Sequence, residues 1–596
     1  MAKNKSTKSV RTTMNNGRSR ELLLLLLLFV FSIGLYLPSL ANGFAFDDRI
    51  HIEHNYQLIG WTPLINAALS PIYPGDLFRP TTVLINGIIR NVFGESAFPH
   101  HLVNIILHGV TSILVTFGMW RMNGTLINCE TSSRTILFGL CVGAVWAVMP
   151  IHLEVVANIS GRAELLAAFF GIAALHLLAN NYADKGYYLS IRCLLVFLSL
   201  ALSFGAKESG ILYGIVACIF ARSLTYRFTT VVAVTTVMAM RYLAFNHAIP
   251  ELTPNSLDNP IASLAALERI PIALSLLGRY AVACFYPLSI GADYSWGFFY
   301  PPLQWSVLSP YLFVSSTLVM AMVALAIYLT CQRAVFKIDI SPNALFTFYG
   351  LAWFFFFFSL TSNIAFPIGT IFGERLAYSP SIGIVVAVCG LFRAVSTYTK
   401  SIRSGLLLAA SLCYCLLLSP VVISASHYWR DNRSLFSRQM EVSPQSVKSK
   451  VNYAVILKNE GKYSDAKELI KSALLSFPHY SEAHYNLGHI ALLEGNFTDG
   501  KRELERALEL NQTLPDAINL LGRSLLNEKN YSAAGALFDR LLQVDPSSIE
   551  GHIGKCAVSL AVGDLITARQ LLEKLAAIAP LNKEVESLQS IYTSLR

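Results

Sequence analysis

From Leu22 to Ala425 the chain returns again and again to apolar runs of bilayer-spanning length. The first covers Leu22 to Leu40, and others centre near 101–120, 135–151, 163–180, 188–204, 208–221, 227–245, 266–288, 308–330, 345–362, 378–392 and 404–425. A run of about 20 apolar residues is what a helix needs to cross the hydrocarbon core, where only helices and closed barrels satisfy their own backbone groups. Twelve such runs constrain this part of the chain to a bundle of membrane helices before any motif is considered. Composition agrees: of 596 residues 54% are hydrophobic and 14% charged, too little charge to coat a soluble body of that size. An ordinary water-soluble enzyme is excluded.

The few charges are unevenly placed. Residues 447–596 hold 35 of the 83, as 17 basic and 18 acidic side chains. That segment is therefore a soluble tail of net charge −1, and the formal +9 of the whole chain comes from the membrane part, where basic residues mark orientation. Nucleic acid is not expected as a partner. Most of the ten cysteines fall inside apolar runs, and no paired spacing suggests disulfides or a zinc site.

Six basic residues (Lys3, Lys5, Lys8, Arg11, Arg18, Arg20) precede the first apolar run. A cleaved signal peptide is the competing reading; the length of the run and the lack of a small-x-small cleavage site favour a retained first span. If the 266–288 run, interrupted by Glu268, Arg269, Pro271 and Arg279, lies in the interface instead of crossing, the basic connectors all fall on one side. Cytosolic segments then carry 17 basic against 4 acidic residues, and the opposite side of the membrane part 12 against 15. Eleven spans, a cytosolic N-terminus and a lumenal tail are expected. The division is a basic N-terminus at 1–21, a polytopic domain at 22–425 with lumenal segments 41–100 and 246–305, a linker at 426–446, and the tail at 447–596. Sequons at Asn158, Asn496, Asn511 and Asn530 lie on the expected lumenal side as candidate N-glycosylation sites.

Val447, Ser481, Pro515 and Ile549 start four units spaced by 34 residues, the tetratricopeptide period. Position 8 is Ala454, Gly488, Gly522 and Cys556; position 20 is Ala466, Gly500, Ala534 and Ala568; position 32 is proline in three of four units. Small residues where two helices meet and proline where they stop predict an α-solenoid whose groove engages a protein acceptor or partner. The whole chain is thus read as all-α: a polytopic helical membrane domain followed by a repeat solenoid.

Ionisable residues in or beside a bilayer are functional candidates by default. On the expected lumenal side they gather as Phe46-Asp47-Asp48-Arg49, as His152-Leu-Glu154 through Arg162-Ala-Glu164, as Lys207-Glu208, and as Gly373-Glu374-Arg375. Acid/base pairs also read as internal ion pairs that seat loops. Asp47 and Asp48 differ, because adjacent carboxylates make poor glue, while mutual repulsion raises one pKa, as suits a general base or a metal ligand. Carboxylates facing His152, Arg162, Lys207 and Arg375 are the parts needed to move a group from a membrane-borne phosphate to a nucleophile. The carboxylate would take the acceptor's proton, and the cations would meet the charge left on the phosphate.

These motifs, together with Arg79-Pro80 through His101-Leu-Val-Asn104 and His108, the segment Pro287 to Ser295, and the tail array, resemble the transmembrane and tetratricopeptide-repeat-containing O-mannosyltransferases. The resemblance runs from about residue 20 to the last residue, and the ordered set is far more specific than any single motif. It implies a GT-C-type fold in the endoplasmic reticulum membrane, dolichyl phosphate mannose as donor, and Ser or Thr of lumenal or secreted proteins as acceptor, with inversion at the anomeric carbon. By that similarity Asp47 and Asp48 correspond to the family's diacidic motif, either one being the base. His152, Glu154, Arg162, Lys207, Glu208, Glu374 and Arg375 are then the donor-phosphate and substrate residues. Four clear repeats are fewer than many relatives carry. No cofactor or metal is expected where Arg and Lys cover the phosphate, although diacidic motifs in other GT-C enzymes bind a divalent ion. Two further readings remain open: transfer of another lipid-linked sugar or to another acceptor, and a non-catalytic membrane-anchored scaffold. A transporter is disfavoured, because the charged motifs cluster on one face and not at mid-membrane.

Overall fold

The computed structural model describes residues 19–72, 77–127, 133–179, 187–246, 254–286, 291–298, 305–334, 342–398, 405–578 and 582–595. The N-terminal basic cluster up to Arg18 and the stretch 287–290 of the Pro287–Ser295 motif lie outside the described residues. Among the described residues the fold is helical throughout, an isolated antiparallel bridge between Ile72 and Leu77 being its β pairing. The chain divides into two compact units. One comprises Met1–Tyr294 and Phe299–Arg438, the other Ser295–Phe298 and Gln439–Arg596.

Among the described residues of the first unit six helices are long and apolar enough to cross a bilayer: Phe98–Met122, Ile159–Leu178, Tyr187–Ala206, Leu308–Gln332, Glu374–Ala394 and Gly405–Trp429. A seventh crossing exists if Thr135–Ala147 and Pro150–Val156, bent by 57° at the proline, count as one broken span. The expectation of eleven spans is not met, and helix length gives much of the reason. Gly210–Phe220 is 11 residues long, about 16 Å, or half a hydrocarbon core. Among the described residues Pro342–Phe358 covers 17 positions, at the lower limit for crossing. Among the described residues the first helix covers 19–34, and it gives way to a 3-10 turn at Leu37–Ala41, which has Pro38 in its first turn. Leu224–Ala244 is long enough, but five threonines and two arginines dilute its apolar character. Ala266–Phe285 buries Arg269 and Arg279 within the unit, and Arg269 donates to the carbonyl of Asn363 at 3.0 Å. Runs that read as spans thus include short helices and helices that carry polar or charged side chains.

In the second unit, helices begin at Val447, Ser481, Pro515 and Ile549 and pair with Tyr463–Ser476, Phe497–Leu510, Tyr531–Val544 and Leu565–Ile578. A further helix, Lys583–Leu595, begins 34 residues after Ile549 and covers the last pair. Ala454, Cys556, Ala466, Ala534 and Ala568 are all fully buried. Position 15 of each unit ends the first helix with a positive φ: +76° at Gly461, +80° at Gly495, +63° at Lys529 and +82° at Gly563. Glycine adopts this conformation without steric cost; lysine does not. The four residues Ser295–Phe298 pack onto the start of this array. The Trp296 carbonyl accepts from the Val447 amide at 2.9 Å, and its indole meets the Phe477 ring edge-on with centroids 5.1 Å apart.

Candidate functional site

The candidate site is built from the 3-10 turn after the first helix outward. Residues 42–46 are held against 426–436: Asn42 donates to the Ser426 carbonyl at 2.9 Å, the Gly43 amide to the Arg430 carbonyl at 2.9 Å, and the Phe46 amide to the Asn432 side-chain oxygen at 2.6 Å. Phe46 has φ +54°, a conformation that costs a bulky L-residue about 1–2 kcal/mol. Asn432 and the edge-on Phe436 ring, 5.8 Å away, hold it there. The kink sits directly before the acid pair and sends the two carboxylates to different fates.

Asp48 is buried. Its carboxylate accepts from the Ser160 amide at 2.7 Å, the Ser160 hydroxyl, and the Ile159 amide at 3.3 Å. Burial raises its pKa to about 6, against the pull of the Ser160 bonds. Asp47 is half-buried and, among the described residues, accepts no hydrogen bond and forms no ion pair. It lies within electrostatic reach of Arg375 and Glu154.

The cations around it are each seated by an acid. Glu154 accepts the Arg375 backbone amide at 2.8 Å and its Nη1 at 2.9 Å. The Arg375 side chain stays 34% exposed, and among the described residues its Nε and Nη2 donate to nothing. Glu164 pairs with Lys207 in a nearly dry contact, Ser209 adding a longer hydroxyl bond at 3.4 Å. Glu208 takes the fork of Arg79, Nη2 at 2.8 Å and Nε at 3.3 Å, with Arg241 at 3.8 Å. Lys207 feels the charges of both Arg79 and Arg375, and of these three cations Arg375 is the one that feels the charge of Asp47. Buried pairs of this kind serve equally as struts; the exposed fraction of Arg375 and the 21% exposure of Arg79 are what a ligand could use.

Other sequence candidates are placed differently. Arg162 is fully buried and spends its guanidinium on neutral groups: the Asn104 oxygen at 2.8 Å, the Asn86 oxygen at 2.6 Å, and the ring nitrogen and carbonyl of His100 at 3.1 and 2.6 Å. It ties three helices together. His152 sits fully buried among His108, Trp146 and Tyr378 and shares a hydrogen bond with the Ser381 hydroxyl at 2.9 Å. Glu374 is buried with one oxygen on the Tyr294 hydroxyl and the Gly291 amide. Asn158 is 1% exposed and folds its side-chain oxygen onto the Ser160 amide. Asn496 and Asn530 are exposed helix caps, and Asn511 is half-exposed.

Sequence reasoning missed Ser160 and Asn432, which position the acid pair, and passed over Arg79 as a cation. Ser160 was visible only as part of a sequon. Asn432 lies 386 positions from Phe46, and no local pattern announces that contact.

A tetratricopeptide repeat family model matches residues 457–523. Over longer stretches the chain is similar to curated proteins. Protein O-mannosyl-transferase F38B6.6 of Caenorhabditis elegans is 27% identical over 487 residues, covering 79% of this chain and 65% of its own. Protein O-mannosyl-transferase Tmtc3 of Drosophila melanogaster is 24% identical over 540 residues, 80% and 58% of the two chains. The human protein O-mannosyl-transferase TMTC3 is 24% identical over 503 residues, 76% and 51%. The chain spans between half and two thirds of the length of these relatives. The resemblance carried by the motifs is therefore matched by homologues named protein O-mannosyl-transferases over about four-fifths of the chain.

Proposed function

We propose that the membrane unit transfers mannose from dolichyl phosphate mannose to Ser or Thr hydroxyls of proteins in the lumen of the endoplasmic reticulum. The observation that carries this reading is the divergence of the acid pair: Asp48 is consumed by Ser160 and Ile159, while Asp47 is unclaimed within reach of Arg375. Asp47 takes the proton of the acceptor hydroxyl as its oxygen attacks the anomeric carbon from the face opposite the phosphate. The bond from that carbon to the phosphate oxygen breaks, and dolichyl phosphate leaves with the electron pair. The product is the inverted glycoside. Charge developing on the phosphate falls to Arg375, Lys207 and Arg79, held in place by Glu154, Glu164 and Glu208, and no metal is required. Asp48, His152 and Arg162 hold the loops and helices that carry these groups, while Glu374, tied to Tyr294, fixes the turn before Arg375.

In this reading the chain is a multi-pass protein of the endoplasmic reticulum membrane with its N-terminus in the cytosol and its repeats in the lumen, where the groove of the array receives acceptors or a partner. The names of the relatives and the repeat architecture support it. The test is transfer from dolichyl phosphate mannose to an acceptor protein by the full chain. Asp47→Asn should lower the rate by about 100-fold or more with the thermal midpoint unchanged, and Asp48→Asn should lower rate and midpoint together. Full activity of Asp47→Asn would overturn the assignment of the base.

A further inference from the structure

Residues 55–75 contain no Asp, Glu, Lys or Arg, yet much of this stretch lies on the surface. Its regular part is the helix Trp61–Ala68. One side of it is buried: Leu64 and Ala68 are 1% and 2% exposed, and Leu64 sits where a methyl group on Gly87 of the helix Pro80–Phe93 would be. The outward arc is itself divided. Trp61, Ile65 and Leu69 follow at i, i+4 and i+8, each more than half exposed; Thr62, Asn66 and Ser70 form a parallel exposed polar stripe, rotated by one residue. A helix facing water on its whole outer arc has no reason to sort that arc into an apolar and a polar stripe. A helix lying in a lipid–water boundary does.

The apolar stripe does not stand alone. Tyr56 and Ile59 are exposed just before it, and Ile88, Val92 and Phe93 are exposed on the helix it packs against. That helix ends five residues before the candidate span Phe98–Met122 begins, and the exposed Phe98 stands at the junction. The exposed apolar surface is thus continuous in sequence with the point where the chain enters the bilayer. Trp and Tyr are the residues favoured at that depth.

The geometry points to Trp61, Ile65 and Leu69 being seated in the interfacial layer of the same bilayer that the long helices cross, with Thr62, Asn66 and Ser70 facing water. The partner is a lipid surface. The seat is rigidly connected to the candidate site. Asn91, on the helix Pro80–Phe93, accepts the Gly60 amide and donates to the Leu58 carbonyl, each at 2.7 Å. Arg90 donates to the carbonyls of Ile52 and Glu53, and Arg79 leads into the same helix. The depth at which the stripe sits therefore fixes the height of Arg79 and of the segment after Asp48 relative to the headgroup layer. This holds whichever group the site transfers.

The test places a nitroxide-bearing unnatural amino acid at position 65 or at position 66 of the full chain in phosphatidylcholine nanodiscs. Relaxation by oxygen, which concentrates in lipid, is compared with relaxation by a water-soluble nickel chelate. Position 65 should be oxygen-accessible and position 66 nickel-accessible, so that the ratio of the two parameters inverts between adjacent residues. Nickel access at both positions would overturn the proposal, because the stripe would then face water. Shielding from both reagents at position 65 would also overturn it, because a protein partner or a second copy would then cover the face.

Discussion

The side-chain oxygen of Asn432 accepts the backbone amide of Phe46 at 2.6 Å across 386 positions of sequence. This bond holds the one residue that must adopt φ +54° so that Asp47 and Asp48 part company. Strained backbone persists at functional sites only where its surroundings over-determine it; here those surroundings are Asn432 and Phe436.

Asn432→Ala removes the acceptor and leaves the Phe46 amide unpaired. Losing such a bond costs about 1–3 kcal/mol at a desolvated donor, comparable with the strain it restrains. The kink should relax, with faster amide hydrogen exchange at residues 46–48 and about a tenfold loss of transfer activity, the equivalent of ~1.4 kcal/mol. Asn432→Asp, which keeps an acceptor oxygen, should retain most of the activity. Equal activity of both variants and wild type would show that the kink is held by other means.

Burial raises the Asp48 pKa from the usual aspartate range to about 6. The folded chain therefore holds a proton on Asp48 at pH values where the unfolded chain, with a pKa of about 3.9, has lost it. Stability from this group is fully present below about pH 4, falls as pH rises to about 6, and is flat above. The thermal midpoint of wild type relative to Asp48→Asn should decline across that window and level off beyond it. A difference that grows with rising pH would contradict the burial-dominated environment.

The parts of this structure legible from sequence are those with a period. The 34-residue repeat locates the first helix of each of the four pairs in the tail, at Val447, Ser481, Pro515 and Ile549, because small residues at positions 8 and 20 are demanded wherever two helices of a unit touch. Span counting fared worse for a physical reason. Gly210–Phe220 is as apolar as a crossing helix but too short, and hydropathy averaged along a sequence does not see where a helix ends. At the candidate site the sequence groups the charged residues into motifs but does not separate their roles. Arg162 and Arg375 are both arginines in lumenal-reading loops, yet one is locked among Asn86, Asn104 and His100 while the other keeps a third of its surface open. Only the fold distinguishes them.

The sequons divide in the same way. Asn158 is buried with its side chain turned onto Ser160, whose hydroxyl is engaged by Asp48. Asn496 and Asn530 stand exposed at equivalent positions of adjacent repeats. With the repeats in the lumen, Asn496→Gln and Asn530→Gln should each remove one glycosidase-sensitive step in gel mobility, and Asn158→Gln none. No step from any tail sequon in a glycosylating cell would count against the lumenal placement.

Lys529 carries the positive φ that glycine carries at the other three equivalent positions of the array. Its left-handed backbone costs about 1 kcal/mol relative to glycine, partly offset by the greater freedom glycine would add to the unfolded chain. Lys529→Gly should therefore stabilise the third repeat by roughly 0.5 kcal/mol, read as slower hydrogen exchange in the helices Pro515–Asn527 and Tyr531–Val544 of the intact chain. Faster exchange would mean that the unfolded-state entropy of the added glycine outweighs the relief of strain at this turn.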